Sequence, residues 1–276
     1  MPALRDAEVN LKTRRYKDKE KIRILNAAIW RTRSAAVGAT TNRPTTMRDA
    51  RNFVTVWNMS THIVDESAEP AVCGFLEVPE QANGDGIALA HGAGSNCQAK
   101  LLMEVSQALG ALGFTVLRFN LPFRVARPTG PPRPGSAERD RAGIRRAGEL
   151  LKTKIPGRLF MGGHSYGGRQ ASMLAAEDPG GIAGLLLLSY PLHAPKKPTE
   201  QRTKHFPEWS RPAFFAHGTR DPFGSIAEMQ AALELIRAPY LLLPVEGAGH
   251  DLLSTKASSD VPRQIAEAFA AFARIS

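Results

Sequence analysis

A serine between glycines is the first feature of the sequence that could do covalent chemistry. Ser165 is the centre of Gly163-His164-Ser165-Tyr166-Gly167, a Gly-x-Ser-x-Gly pentapeptide between an apolar run and a helix-forming run. A serine at such a strand-to-helix turn is an exposed nucleophile, and the glycines avoid collisions with the adjoining strand and helix. The N–H of Tyr166 would then lie at a helix N-terminus, where it can donate to an oxyanion. The alternative is a glycine-rich packing turn.

A serine hydroxyl needs a base, and the base needs an acid that orients it. Among seven histidines, only His250 combines a late position with a glycine-rich loop, Gly247-Ala248-Gly249-His250-Asp251. Asp221 follows an earlier apolar run through Gly218-Thr219-Arg220. The order Ser165, Asp221, His250 is typical of one class of serine hydrolase. Asp251 and Glu246 are weaker candidates for the acid, and a turn-capping role before Pro222 is the alternative for Asp221.

A second glycine turn, His91-Gly92-Ala93-Gly94, follows the apolar run that ends at Ala90. Small residues there would let the N–H of Ala93 reach a bound carbonyl together with the N–H of Tyr166. A dinucleotide-binding turn is the rival interpretation. It is disfavoured because Cys97 replaces the third glycine and no acidic residue ends the next apolar run.

Histidines, a cysteine and arginines elsewhere in the sequence are further candidates for binding a ligand. His164, His193 and His217 lack the spacing of a metal site, so structural roles are the simpler interpretation. We therefore expect no metal and no other cofactor. Cys97 is expected to be a small buried residue. Three arginines of a proline-rich loop could receive an acidic substrate or could simply be solvated: Arg124, Arg127 and Arg133.

Apolar runs that alternate with amphipathic ones must position these residues. Seven runs are predicted as strands: Val72–Val78, Gly86–His91, Thr115–Asn120, Arg158–Gly162, Gly184–Ser189, Ala213–His217 and Tyr240–Pro244. Five are predicted as helices: Ala99–Leu112, Ala137–Lys152, Gly168–Ala176, Ile226–Ile236 and Pro262–Ile275. This alternation predicts an α/β fold with a mostly parallel sheet, whose carboxyl edge gathers the chemistry. Two long connections, 122–134 and 191–212, are predicted as loops at that same edge.

Charge separates the chain into two parts. Residues 1–60 hold 13 basic and 5 acidic side chains, whereas the remainder holds 23 and 21, so most of the net charge of +10 belongs to the leader. Residues 1–58 are predicted to be a basic, disordered extension, and residues 59–276 the folded domain. A basic arm, or a start codon at Met59, are the alternatives for the extension. The near-neutral domain does not favour nucleic-acid binding.

Two cysteines, Cys73 and Cys97, are too few for a disulfide framework or a four-cysteine zinc site. No apolar run approaches the roughly 20 residues that a bilayer crossing needs, and the first 27 residues lack a signal peptide. We therefore expect a soluble, cytoplasmic protein that is not associated with membranes. Its oligomeric state is not predicted.

Residues 72–275 resemble the α/β-hydrolase superfamily. They are most similar to the group of testis-expressed protein 30, the hydrolase-like domain of a nonspecific lethal complex subunit, and bacterial dienelactone-hydrolase-like proteins. The residues that carry this resemblance are 91–94, 117–119, 162–169 and 189–196. The resemblance implies a hydrolase core without a large cap, with Ser165, Asp221 and His250 in the triad positions. Dienelactone hydrolases themselves use a cysteine nucleophile where this chain has Ser165.

The sequence as a whole predicts a serine hydrolase that cleaves a small carboxylic ester or thioester through an acyl-enzyme. Its partner would be a small acyl substrate. The alternative is a non-catalytic interaction module that keeps the fold and uses the basic extension or the 191–212 loop to bind a partner. A complete set of three catalytic residue types favours the enzyme.

Overall fold

The residues described by the computed structural model, 59–253 and 260–276, contain one eight-stranded sheet. The predicted extension, residues 1–58, lies outside the described residues. The strands are β1 (Met59–Asp65), β2 (Val72–Val78), β3 (Gly86–Ala90), β4 (Thr115–Phe119), β5 (Leu159–His164), β6 (Ile182–Leu188), β7 (Ala213–Gly218) and β8 (Tyr240–Val245).

The strands are ordered β1-β2-β4-β3-β5-β6-β7-β8 across the sheet. β2 runs antiparallel to both β1 and β4, and all pairs from β4 to β8 are parallel. The central strands were predicted from continuous apolar runs, and β3 is indeed buried at every position. The parallel arrangement brings the loops that follow β3, β5, β7 and β8 to one edge of the sheet.

Helices cover both faces of the sheet. The described helices are α1 (Lys100–Gly110), α2 (Pro122–Ala126), α3 (Ser136–Lys152), α4 (Tyr166–Glu177), α5 (Ile226–Leu233) and α6 (Val261–Ile275). Contacts join α1 to α6 and α3 to α4. None of the helices in this part of the chain is long and apolar enough to cross a membrane.

Successive residues of a strand supply the two halves of the core, because side chains alternate between the faces of a sheet. Phe160 of β5 packs against Phe269 of α6 with ring centroids 5.3 Å apart. Its neighbour Met161 belongs to the cluster that includes Ile144 of α3 and Leu174 of α4. The sheet that holds the site is therefore buried on both sides.

A buried ion pair lies beside the loop that carries Ala93. Arg118 of β4 and Glu77 of β2 are both almost fully buried, with 2.8 Å between Nη2 and Oε1. Glu77 also accepts from the Ser106 hydroxyl of α1. Arg118 donates to the carbonyl of Cys97 at 2.7 Å, in the loop after β3. The pair thus connects two strands, a helix and the loop that carries Ala93.

The mostly parallel sheet agrees with the sequence prediction, and two details differ from it. The seven strands that the sequence predicted do not include β1. β1 is an edge strand whose residues 60–62 are all exposed, so it lacks the apolar pattern that marks the central strands. The connection 122–134 was predicted as a loop throughout, but it begins with α2. Pro122 stands at the start of that helix, where its missing N–H has no cost.

Candidate active site

Ser165 lies in a strained turn between β5 and α4. Its backbone has φ 52° and ψ −117°, a combination that residues other than glycine rarely adopt. The turn is held against the next strand, since the Ser165 N–H donates to the carbonyl of Leu188 at 2.9 Å. The strand, sharp turn and helix that the sequence predicted for Ser165 are therefore present.

The glycines of the pentapeptide are required by close backbone contacts. Gly163 pairs with Ala90 of β3, and a Cβ at Gly163 would lie 2.1 Å from the Ala90 carbonyl oxygen. Gly163 also has φ 149°. A Cβ at Gly167 would lie 2.5 Å from the carbonyl oxygen of His91. These contacts place Ser165 directly beside the start of the Ala93 turn.

The structure brings Ser165, His250 and Asp221 into one hydrogen-bonded chain. Nε2 of His250 lies 2.8 Å from Oγ of Ser165, and Nδ1 of His250 lies 2.8 Å from Oδ2 of Asp221. The Asp221 side chain is fully buried, and its other oxygen accepts from the Phe223 N–H at 2.9 Å. A carboxylate so placed keeps a proton on Nδ1 and leaves Nε2 free to accept one from the serine.

The loops that carry Asp221 and His250 are joined by backbone hydrogen bonds. The Arg220 N–H donates to the carbonyl of Ala248 at 2.9 Å. Gly218 permits this crossing, because a Cβ there would lie 2.4 Å from the same carbonyl oxygen. The Phe223 ring packs on the His250 imidazole with centroids 4.2 Å apart. Asp221 and His250 are thus held together by their loops as well as by their own hydrogen bond.

His164 connects the turn of Ser165 to His250. Its Nε2 lies 2.8 Å from the carbonyl oxygen of His250, and the two rings are 5.1 Å apart. Burial lowers the pKa of His164 to about 4, so a neutral ring donates its Nε2 proton to that carbonyl. The sequence predicted only a structural histidine here. Its contact holds the backbone of His250.

Two side chains fix the turn that contains Ala93. Nδ1 of His91 donates to the carbonyl of Gly92 at 2.8 Å, while its Nε2 accepts from the Leu121 N–H at 3.0 Å. Burial lowers the pKa of His91 to about 4, which is consistent with this neutral form. Arg124 donates to the carbonyls of Ala93 and Ser95 at 3.1 and 2.8 Å.

The proposed role of Arg124 as a receiver of acidic ligands does not fit its contacts. The side chain is buried and also donates to the carbonyls of Arg127 and Gly130. Arg127 donates to the carbonyl of Pro131, and Arg133 is exposed. Arg124 acts instead as an anchor of the Ala93 turn. Nothing in its sequence neighbourhood signals this, because its acceptors come from residues up to 31 positions away.

Replacing Arg124 by methionine is expected to lower kcat for ester hydrolysis by roughly 10- to 100-fold, because the Ala93 N–H would lose its fixed position. Methionine retains apolar volume but cannot donate to the four carbonyls. Steady-state kinetics on a chromogenic ester would measure the effect. Arg139→Met, an exposed partner of Glu69, is the control. Equal kcat values for the two variants would contradict the anchoring role.

Tyr166 is the first residue of α4, so its backbone N–H has no acceptor within the helix. Its side chain fixes its position. Its hydroxyl donates to Asp140 of α3 at 2.7 Å. Its ring meets Phe123 of α2 edge-on, with centroids 5.8 Å apart. Asp140 also accepts from the Phe123 N–H at 3.0 Å, so one buried carboxyl connects α2, α3 and the residue after Ser165. The sequence does not point to Asp140, because the pattern of α3 does not show which of its faces meets the turn of Ser165.

The remaining candidates occupy structural positions. His217 and His193 each lie 2.7–2.8 Å from a backbone carbonyl oxygen, that of Gly224 and that of Ala194. Among the described residues, no group of three or more histidine, cysteine or acidic side chains is arranged to hold a metal ion. Cys97 is buried, and burial raises the pKa of its thiol to about 11.

Comparison with known proteins agrees with this architecture. The alpha/beta hydrolase domain family matches residues 84–275, more than half of the chain. The chain belongs to that family. The eight-stranded, mostly parallel sheet and the flanking helices confirm the fold that the sequence predicted. The segment between β6 and β7 contains a single three-residue 3₁₀ helix, Phe206–Glu208, as its only regular element, so no cap domain is inserted there.

Solved structures share the fold at low sequence identity. Dienelactone hydrolase from Anabaena variabilis is 21% identical, with a TM-score of 0.60 over 78% of this chain and 98% of that one. Est1E from Butyrivibrio proteoclasticus, solved with ferulic acid, is 14% identical, with a TM-score of 0.64 over 78% and 100%. A lidless serine hydrolase from Xanthomonas campestris is 16% identical, with a TM-score of 0.59 over 78% and 94%.

The buried histidines are expected to make the free energy of unfolding depend on pH. Burial lowers the pKa of His91, His164 and His205 to about 4 each. In the unfolded chain they would titrate near 6.5, so between about pH 6.5 and 4 the unfolded state binds more protons. The contribution of the three neutral histidines to the free energy of unfolding is complete above about pH 6.5 and is lost as the pH falls from about 6.5 to 4. Asp140, whose pKa is raised by burial, opposes the loss by at most one proton.

Urea unfolding at pH 7 and pH 5 would measure this dependence. The free energy of unfolding is expected to be lower at pH 5, by an amount on the order of a few kcal/mol. His205→Gln removes one of the three groups and should make the dependence shallower. A free energy that is equal at the two pH values would contradict the assignment of neutral buried histidines.

Proposed function

We propose that the protein is a serine hydrolase that cleaves a small carboxylic ester or thioester through an acyl-enzyme. The observation that supports this most strongly is the chain of two 2.8 Å hydrogen bonds from Ser165 through His250 to Asp221. Packing alone does not require a buried carboxylate, a partly buried imidazole and a serine in a strained turn to be joined by hydrogen bonds. Together they are the parts of an activated nucleophile.

In the first step, Oγ of Ser165 attacks the acyl carbon while Nε2 of His250 removes the hydroxyl proton. The carbonyl π electrons move to oxygen and form a tetrahedral oxyanion. The carbonyl then re-forms, the bond to the leaving oxygen or sulfur breaks, and the proton on Nε2 passes to that atom. A water molecule, deprotonated by Nε2 of His250, then attacks the acyl-enzyme. The bond between the acyl carbon and Oγ breaks, the acid is released, and the proton on Nε2 returns to Oγ of Ser165.

The oxyanion is stabilised in this scheme by the backbone N–H groups of Ala93 and Tyr166. Arg124 and His91 fix the turn that carries the first donor, and the start of α4 provides the second. Each such donor is worth about 3 kcal/mol of transition-state stabilisation in enzymes of this type. Both donors are backbone groups, so the side chains of the two residues can vary without removing them.

Two findings support an ester or thioester as the substrate class. The segment from 189 to 212 builds no cap over the site, which suits a small acyl substrate. Structural neighbours include Est1E, which was solved with ferulic acid, and a dienelactone hydrolase. The first of these binds a carboxylic acid, and the second is named for the hydrolysis of a lactone. No nucleic-acid partner and no membrane association are part of this proposal, and a cytoplasmic location remains a prediction.

Partitioning between water and methanol would test the acyl-enzyme. Two esters with the same acyl group and different leaving groups, such as phenyl butyrate and 4-nitrophenyl butyrate, are hydrolysed in the presence of methanol. A common acyl-enzyme predicts the same ratio of methyl butyrate to butyric acid from both esters. Ratios that differ with the leaving group would contradict a shared covalent intermediate.

A further inference from the structure

Phe223 lies against the imidazole of His250 without a role in the proposed mechanism. The two ring centroids are 4.2 Å apart, and the ring planes are inclined by 33°. Rings at this distance and inclination overlap face to face, because rings that meet at an edge have more widely separated centroids or a steeper inclination. The imidazole therefore lies over the face of Phe223, where an aromatic ring is electrostatically negative.

The backbone of Phe223 is anchored independently of its side chain. The Phe223 N–H donates to Oδ1 of Asp221 at 2.9 Å, and the Phe223 carbonyl accepts from the His193 N–H at 3.0 Å. His193 belongs to the connection after β6, so two different loops hold Phe223 in place. Replacing the side chain leaves both hydrogen bonds possible. A change at Phe223 can therefore alter the contact with the imidazole without removing the turn that holds Asp221.

The hydrogen-bond partners of His250 lie at the edge of its ring and leave its faces to aromatic neighbours. Oδ2 of Asp221 lies 2.8 Å from Nδ1, and Oγ of Ser165 lies 2.8 Å from Nε2. The ring of His164 is a second aromatic neighbour, with its centroid 5.1 Å away and its plane inclined by 48°. Phe223 is thus the nearer of these two rings to the imidazole and the more nearly parallel to it.

Titratable groups of the neighbouring elements also act on the imidazole of His250. Asp221 supplies a buried negative charge at Nδ1. His164 at the end of β5 and His217 in β7 have pKa values that burial lowers, so neither ring adds a positive charge. The loops after β7 and β8 also carry three exposed charged side chains: Arg220, Glu246 and Asp251. A positive charge formed on His250 is therefore met by Asp221 at the ring edge and by an aromatic ring on one face.

Serine hydrolysis makes His250 positively charged twice, first when Nε2 takes the proton of Ser165 and again when it takes a proton from water. A cation over the face of an aromatic ring is attracted by the ring quadrupole, and the attraction is larger where water is excluded. Phe223 and His250 are both partly buried. The neutral imidazole gains less from the same contact, so the contact stabilises the transition state more than the resting site.

We propose that Phe223 is a positioning residue that stabilises the protonated form of His250 by a cation–π contact during acylation and deacylation. The proposal rests on the proposed function, because it assigns a role within that reaction. A side chain that only filled the space beside His250 would not need an aromatic face. The contact is expected to contribute to kcat and to leave KM nearly unchanged, since it strengthens only in the transition state.

Fluorinated phenylalanines test the electrostatic part of the contact with little change in shape. Phe223 is replaced by the monofluoro, difluoro and trifluoro forms of phenylalanine, because each fluorine weakens the attraction of the ring face for a cation. We expect kcat for 4-nitrophenyl butyrate to fall progressively, to roughly 3- to 30-fold below wild type for the trifluoro ring. KM should stay within about twofold of the wild-type value. Phe223→Trp, with the stronger aromatic face, should retain kcat, whereas Phe223→Leu should lose it to a similar extent as the trifluoro ring.

Phe272 of α6 provides the matched control, since its ring is buried and packs on Phe214 with centroids 6.0 Å apart. Trifluorophenylalanine in place of Phe272 should leave kcat unchanged. Equal kcat values for all the fluorinated rings in place of Phe223 would overturn the proposal. This holds even if Phe223→Leu lowers kcat, because leucine also changes the shape of the side chain.

A measurement on Ser165→Ala protein separates this proposal from the proposed function, because it needs no turnover. NMR of protein labelled with ¹³C-histidine follows the ring signal of His250 against pH, and the signal is assigned by its loss in His250→Gln. Trifluorophenylalanine in place of Phe223 is expected to move the midpoint of this titration to lower pH by roughly 0.5 to 1.5, the logarithm of the same fold-change. Such a movement would support the contact even in a protein that hydrolyses no ester. A midpoint that stays in place would overturn the proposal.

Discussion

Replacing Ser165 by alanine is expected to lower kcat by roughly 10⁴- to 10⁶-fold toward any ester that the wild-type protein hydrolyses. Removal of Oγ eliminates the nucleophile and leaves His250 without a proton to accept. The backbone donors of Ala93 and Tyr166 remain, so a small residual rate above the uncatalysed reaction is expected. Single-turnover and steady-state kinetics on a chromogenic ester would measure the loss.

A serine elsewhere at the same edge of the sheet provides the control. Ser189 follows β6, is fully buried, and has φ 50°, so its backbone has the same positive φ as that of Ser165. Its hydroxyl has no hydrogen-bond partner among the described residues. Ser189→Ala is therefore expected to retain most of the activity. A Ser165→Ala protein that folds normally and keeps more than about one-tenth of the wild-type rate would contradict a covalent role for Ser165.

Replacing Asp221 by asparagine is expected to lower kcat by about 10⁴-fold. The amide oxygen of asparagine can still accept from the Phe223 N–H, which presents the amide NH₂ to Nδ1 of His250. Nδ1 must then accept, and the imidazole proton moves to Nε2. A ring protonated at Nε2 cannot take the proton of Ser165, so the nucleophile is not activated.

Acids that neighbour His250 in sequence distinguish this effect from a general loss of charge. Asp251→Asn and Glu246→Gln remove one negative charge each close to the base, and both residues are exposed. We expect changes in kcat of less than about tenfold for either variant, since Nδ1 of His250 lies 2.8 Å from Oδ2 of Asp221 and exposed charges have small effects. A larger loss for Asp251→Asn than for Asp221→Asn would show that the orienting acid has been misassigned.

The central sheet was predictable because its strands are buried on both faces, as in Gly86–Ala90, and so form continuous apolar runs. β1 was not, because an edge strand has one neighbour and residues 60–62 are exposed. The helix at Pro122–Ala126 was hidden in a stretch rich in proline and arginine, where a local pattern cannot tell a short helix from a loop.

For the site, chain order and positions at strand ends led to Ser165, Asp221 and His250, and the structure brings these three together. The supporting contacts could not be predicted. His164 meets the carbonyl of a residue 86 positions later, and Arg124 meets carbonyls from the loop after β3. Such contacts depend on the tertiary packing of loops, which leaves no periodic trace in the sequence.

The interaction-module alternative also has a defined consequence. A protein that only binds partners has no need for Nε2 of His250 to lie 2.8 Å from Oγ of Ser165. If Ser165 proved unreactive, the long connection from 191 to 212 and the basic segment 1–58 would become the surfaces to examine for partners. The reactivity of Ser165 therefore decides whether the protein is a serine hydrolase or a non-catalytic interaction module.

The most direct test treats the full-length protein with a fluorophosphonate and reads the intact mass. The account predicts one adduct per chain on the wild type, none on Ser165→Ala, and greatly slowed labelling of Asp221→Asn. Peptide mapping should locate the adduct on Ser165. A folded wild-type protein that remains unmodified, or that is labelled equally when Ser165 is replaced, would contradict the claim that this serine is an activated nucleophile.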